Sequence, residues 1–139
     1  MLLSKEQVNR YNPEIGELYC TYLDEELVTG LIHFGIFEQS LSGEVLKAVA
    51  SIKNYDGQWF LWGCVVKKEF RGQGLQFQLV KERLKYLRSL TDTALVYIEP
   101  WNQNSIENLE AAGFKYEGQT LHEDGETIMS IYKLVWDSE

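Results

Sequence analysis

Arg71-Gly72-Gln73-Gly74-Leu75-Gln76 sets a guanidinium and two glycines between the apolar run Trp59 to Val66 and an amphipathic stretch beginning at Leu75. A strand that ends, turns on glycine and opens a helix leaves free N–H groups at the positive end of the helix dipole. Such amides bind anions, phosphate above all, and glycines let the ligand approach the main chain without a Cβ in the way. Arg71 adds a permanent positive charge. Taken alone, the GxG reads equally well as a turn that needs positive φ angles. It is not a Walker P-loop, because no Lys-Ser/Thr pair follows Gly74. Nor is it a dinucleotide fingerprint, because no third glycine stands at GxGxxG spacing.

The elements around this junction can be read from periodicity. Ser4-Lys5-Glu6-Gln7 has the SxxQ form of a capping box and predicts a short helix, interrupted at Pro13. A second helical stretch is expected from Glu14 to Val28, with Ile15, Leu18, Tyr19 and Tyr22 on one face and a solvated acidic end at Asp24-Glu25-Glu26. Short apolar runs between turn residues then predict three antiparallel strands, Leu31 to Gln39, Val45 to Ile52 and Trp59 to Val66. The third is apolar at nearly every position, which predicts a central strand covered on both faces. Leu75, Leu79, Val80, Leu84 and Leu87 give the helix Leu75 to Leu87. A strand from Ala94 to Glu99 follows, then a short helix from Ser105 to Ala112 with Asn104 as N-cap, Glu107 completing the box and Gly113 at C′. Two last strands, Phe114 to Gln119 and Thr127 to Trp136, flank a turn at Asp124-Gly125. The fold class is a mixed α/β domain around one twisted sheet.

With that order in hand, Arg71 to Gln76 resembles the signature of the GNAT family of N-acetyltransferases, Arg/Gln-x-x-Gly-x-Gly/Ala between a central strand and a helix. A second family feature follows, Asn102-Gln103-Asn104-Ser105-Ile106 and then Leu109-Glu110-Ala111-Ala112-Gly113-Phe114. The resemblance covers Trp59 to Phe114. It implies a mostly antiparallel twisted sheet with a splay between its two central strands, flanked by helices, and acetyl-CoA as co-substrate. The amides of Arg71, Gly72, Gln73, Gly74, Leu75 and Gln76 would bind the coenzyme pyrophosphate. Val65 and Val66 would pair with the pantetheine arm, Asn102 would lie beside it, and Val66 N–H, or Val65 in a shifted register, would take the oxyanion. Gln76 stands where the signature has Gly or Ala, and its side chain is expected to turn outward. Leu109 takes the place of a tyrosine that in many members protonates the leaving thiolate.

Amine acylation also needs a route for the amine proton. Gln58 to Val66 contains no carboxylate, so the base common in the family is absent. Glu99, at the end of its strand near the implied splay, is the first candidate, ahead of His33, Glu38 and a water chain. Tyr97, Tyr116 and Tyr132 are candidate acids, each also readable as a packed aromatic, and Trp101 is a candidate wall of the acceptor pocket.

The bulk composition narrows the partners. A length of 139 residues suits one domain, residues 1–139, and 45% hydrophobic content excludes disorder. A formal charge of −8 disfavours nucleic acid, which is bound through Lys and Arg, and makes a cationic partner easier to accommodate. Cys20 and Cys64 have no CxxC spacing and read as buried free thiols. His33 and His122 are isolated, so no metal is expected. No secretory signal or membrane span is recognisable, and the cytoplasm is the expected compartment. The expected partners are a small-molecule or protein amine and a possible homodimer, with no membrane.

Overall fold

A computed structural model describes residues 1–19, 30–122 and 124–136. The first helix, α1 (Lys5–Leu18), opens on the expected reciprocal cap: Gln7 N–H donates to Ser4 Oγ (3.1 Å) and Ser4 N–H to Gln7 Oε1 (3.0 Å). The expected break at Pro13 does not occur, and α1 runs through it. An interior proline costs about 3 kcal/mol. Burying Tyr11 and Ile15 against Leu46 and Val49 returns about 1.5–3 kcal/mol per side chain, enough to offset it. Of the stretch expected from Glu14 to Val28, the part to Leu18 belongs to α1. Cys20 and Asp24-Glu25-Glu26 lie outside the described residues.

Six strands follow: β1 (Leu31–Ser40), β2 (Gly43–Tyr55), β3 (Gln58–Val66), β4 (Thr93–Ile98), β5 (Lys115–Leu121) and β6 (Ile128–Val135). Their order in the sheet is β1-β2-β3-β4-β6-β5. β1, β2 and β3 form the antiparallel meander that the turn residues predict, and β4, β6 and β5 form a second antiparallel group. The two groups meet where β3 and β4 run parallel, joined by the single register pair Phe60↔Leu95. Beyond that pair the strands diverge. This splay corrects the expectation for β3: only Leu61 is fully buried, while the rest of the strand is half-buried or exposed along an edge that has no neighbour.

The main core lies between the sheet and α2 (Leu75–Leu87), which buries Leu75, Leu79, Val80, Leu84 and Leu87 against Phe34, Ala48, Ile52 and Leu61. α1 covers the other face of β1 and β2. The last helix, α3 (Gln103–Ala111), starts two residues earlier than expected. Asn102, not Asn104, is its cap, accepting from Ser105 N–H (3.4 Å). Its end is as read: Gly113 adopts φ +102° and Phe114 N–H returns to Leu109 O (3.0 Å). No described helix is long and apolar enough to cross a membrane, and no cluster of metal-binding side chains occurs among the described residues.

Candidate active site

The junction after β3 is a glycine turn that opens a helix. A 3-10 turn, Lys68–Phe70, leads into Arg71, and Gly72 and Gly74 take φ +83° and +75°. A Cβ on either glycine would meet nothing within 4 Å, so dihedral freedom rather than space accounts for glycine there. Gly74 is the N-cap of α2 and supplies no side-chain acceptor, which leaves the first amides of the helix turned toward solvent. Arg71 folds back and donates from Nε to Val66 O (3.1 Å), tying the loop to the end of β3.

Val66 carries the main-chain polarity of the splay. Lys67 N–H donates to Lys47 O on the β2 side (2.9 Å). Amide directions alternate along a strand, so Val66 N–H points the other way, into the splay, and Val65 N–H points back to β2. Of the two oxyanion donors that the sequence leaves open, Val66 is the one with its N–H in the cleft.

Two cavities flank this strand end. The larger, about 630 Å³, runs past Val65, Val66, Arg71, Gly72, Gly74 and Leu75. The smaller, about 270 Å³, fills the splay between Leu61, Gly63, Val96 and Ile98. Cys64, Gln76, Asn102 and Ser105 line both, so the two spaces adjoin. Gln76 does not turn outward: its Nε2 donates to Ser105 Oγ at 2.6 Å, bridging the starts of α2 and α3 at the junction of the cavities. Cys64 is half-buried in that lining rather than buried, and desolvation pushes its thiol pKa up.

The other expected site residues separate clearly. Glu99 and Tyr97 line the splay cavity, Tyr97 packed edge-on to Phe60 with ring centroids 5.1 Å apart. Leu109 closes its apolar side. Gln73, in the loop itself, is exposed and lines neither cavity. Tyr116 does not reach the cleft. It lies on edge strand β5, 55% exposed and against Tyr132, with β6 and β4 between it and the splay. Trp101 is 72% exposed and lines neither cavity, and Glu38 lies on edge strand β1, with β2 between it and β3, and lines neither. His33 is buried on β1 with Nδ1 2.6 Å from Ser51 Oγ, which also meets Tyr19 OH (2.8 Å). Burial lowers its pKa to about 4.

Sequence reading missed the β-bulge at the floor of the splay. Ala50 pairs with Cys64 and Ser51 with Trp62, which leaves Gly63 unopposed at φ +68°. Tyr19 lies on Gly63 from one side. From α2, Arg83 donates through Nη1 to both Gly63 O and Ser51 O (3.1 Å each). An isolated glycine inside an apolar strand was the one available signal.

No curated protein matches the chain. Solved structures share its fold. NAA60 of Arabidopsis thaliana in complex with acetyl-CoA is 11% identical over 97% of this chain and 96% of that one, with a TM-score of 0.76. An N-acetyltransferase from Staphylococcus aureus Mu50 is 15% identical over 97% and 95%, at 0.75. The ribosomal-protein-S18-alanine N-acetyltransferase of Escherichia coli is 15% identical over 97% and 91%, at 0.72. The profile of the Acetyltransferase (GNAT) family matches residues 4–114, from the cap of α1 through the glycine loop to the end of α3, and the chain belongs to that family.

Proposed function

We propose that residues 1–139 act as one unit that transfers an acetyl group from acetyl-CoA to a primary amine of a small molecule or protein, in the cytoplasm, without nucleic acid or membrane as partner. The observation that carries this reading is the adjacency of the uncapped start of α2 to an open strand edge. The 630 Å³ groove along the loop adjoins the 270 Å³ splay cavity. The amides of residues 72 to 76 and the Arg71 guanidinium hold the pyrophosphate, the Arg71 amide being used on Lys68 O; the pantetheine follows the free edge of β3 past Asn102, and Val66 N–H takes the thioester oxygen.

The amine nitrogen attacks the thioester carbon, the C–N bond forms and the C–S bond breaks. Glu99, the only carboxylate among the described residues lining the splay cavity, accepts the amine proton. The thiolate leaves without a dedicated acid, because Leu109 offers none, and a coenzyme thiol is acidic enough for this. Leu109 also favours a second reading, a module that binds acyl-CoA without catalysis.

Calorimetry and thiol release with a panel of amines separate the two. Transfer predicts turnover that falls about 100-fold or more in Glu99→Gln, the usual scale for a lost general base. Arg71→Glu weakens acetyl-CoA about tenfold or more. Unchanged affinity in Arg71→Glu would remove the loop assignment, while tight binding with no acylated product from any amine would leave only the module.

A further inference from the structure

Arg83 carries a charge that the transfer described above does not use. It is 3% exposed on the inner face of α2, two helical turns, or roughly 10 Å, along the axis from Gln76. Nε donates to Leu79 O and Nη1 to Ser51 O and Gly63 O, each at 3.1 Å. All three acceptors are neutral carbonyls, and no described carboxylate pairs with it. These bonds account for a donor at the bulge. They do not account for a full cation, since the two N–H groups of a neutral amide would serve the Ser51 and Gly63 carbonyls at far lower desolvation cost.

The guanidinium also lines the splay cavity, and no described residue accepts a hydrogen bond from Nη2. An internal cation facing a cavity, in a chain of net charge −8, is a complement for an anionic group.

The position of the bulge indicates which group that is. Gly63 lies three residues before Val66 on β3, and at about 3.3 Å per residue the Val66 amide and the Gly63 carbonyl are roughly 7–10 Å apart. Allowing about 3 Å for a hydrogen bond at each end leaves roughly 1–4 Å between a thioester oxygen on Val66 and a carboxylate on Arg83. That is the span of a short dicarboxylic acyl chain. We propose that the splay cavity is an acyl pocket for three- or four-carbon dicarboxylic thioesters, with Arg83 as the specificity-determining cation for the distal carboxylate. The inference rests on the reading of the splay as the thioester site. The bonds made and broken are those of acetyl transfer, C–N formed and C–S broken, and the distal carboxylate stays ionised and unreacted.

An acceptor amine could also bring a carboxylate, so the test has a donor arm and an acceptor arm. Acetyl-CoA, butyryl-CoA and succinyl-CoA are compared for binding and turnover with methylamine-type acceptors, and acetyl-CoA is then compared with glycine-type acceptors. Succinyl-CoA is expected to surpass butyryl-CoA, its uncharged counterpart in length, by about tenfold or more. Arg83→Met should bring that ratio near one, and Arg83→Lys should keep part of it. If neither variant folds, the ratio in the unaltered protein decides. A ratio of one or less, or a carboxylate preference confined to the acceptor arm, overturns the acyl pocket while acetyl-CoA turnover leaves the thioester site standing. Failure of every thioester to bind overturns both.

Discussion

Gln76 is the residue at which this chain departs most visibly from its family's loop, and its side chain has a defined occupation. The 2.6 Å bond from Nε2 to Ser105 Oγ joins the first turn of α2 to the first turn of α3, and both residues line the groove and the splay cavity. A pantetheine arm running from one space to the other must pass this bridge. Breaking a neutral hydrogen bond on entry costs about 1 kcal/mol, or roughly fivefold in affinity. Gln76→Ala and Ser105→Ala are each expected to bind acetyl-CoA about fivefold more tightly, with faster association in stopped flow. The double variant should gain no more than either alone, since both remove one interaction. Weaker binding in Gln76→Ala would mean instead that the amide grips the arm. At this scale the loop itself was legible, because Arg71, Gly72 and Gly74 fall within four consecutive residues. The bridge was not: its two ends are 29 residues apart.

Among elements, β3 decides the character of the site, and its bulge decides how β3 presents its edge. Gly63 is gripped from both faces, by the Tyr19 ring on one and by Arg83 on the other, and a Cβ there would come within 2.9 Å of Tyr19 Cε1. Tyr19 cannot swing away freely, because its hydroxyl is bonded to Ser51 and its ring packs edge-on to Trp62 at 5.0 Å. Gly63→Ala therefore combines a left-handed backbone penalty of about 1–2 kcal/mol with a steric one of similar size. Urea melts should show a loss of about 2–4 kcal/mol. Gly74→Ala, which shares the positive φ but has open space around it, should lose only the backbone part. Equal losses would mean that Tyr19 does not brace the bulge. Elements set by local pattern, such as α2 with its stripe of leucines, could be read to the residue. The splay came only with the family resemblance and not from local pattern, because it arises where β3 meets a strand 27 residues beyond its end. The cap of α3 was ambiguous for a local reason: Asn102 and Asn104 both stand three residues before a polar side chain, and only the main-chain path selects Asn102. Pro13 misled because tertiary burial of α1 outweighed its local cost.

For the molecule as a whole, the internal polar network ties stability to pH. His33 is buried between the sheet and the α1 side, its Nδ1 on Ser51, with no described partner for Nε2, and desolvation lowers its pKa from 6.5 to about 4. Between those two values the unfolded chain holds a proton that the folded chain excludes, so folding stability rises with pH across that window. The contribution of neutral His33 is fully present above pH 6.5, is lost progressively as pH falls toward 4, and changes no further below that. By pH 4.5 the loss reaches about 2–3 kcal/mol at most. Asp124 acts in a lower window. Hydrogen bonds from the Thr127 hydroxyl and from the Thr127 and Glu126 amides hold its pKa at about 2, so its effect falls below pH 3.8 and can be told apart. Chemical denaturation at pH 7, 6, 5 and 4.5 should show a decline for the unaltered protein and a much shallower one for His33→Gln, which titrates nowhere in the range. The slope is the diagnostic quantity, because the substitution can shift stability at every pH without altering it. Parallel slopes in the two proteins would mean that His33 takes up its proton in the folded state and that the network around Ser51 opens to admit it.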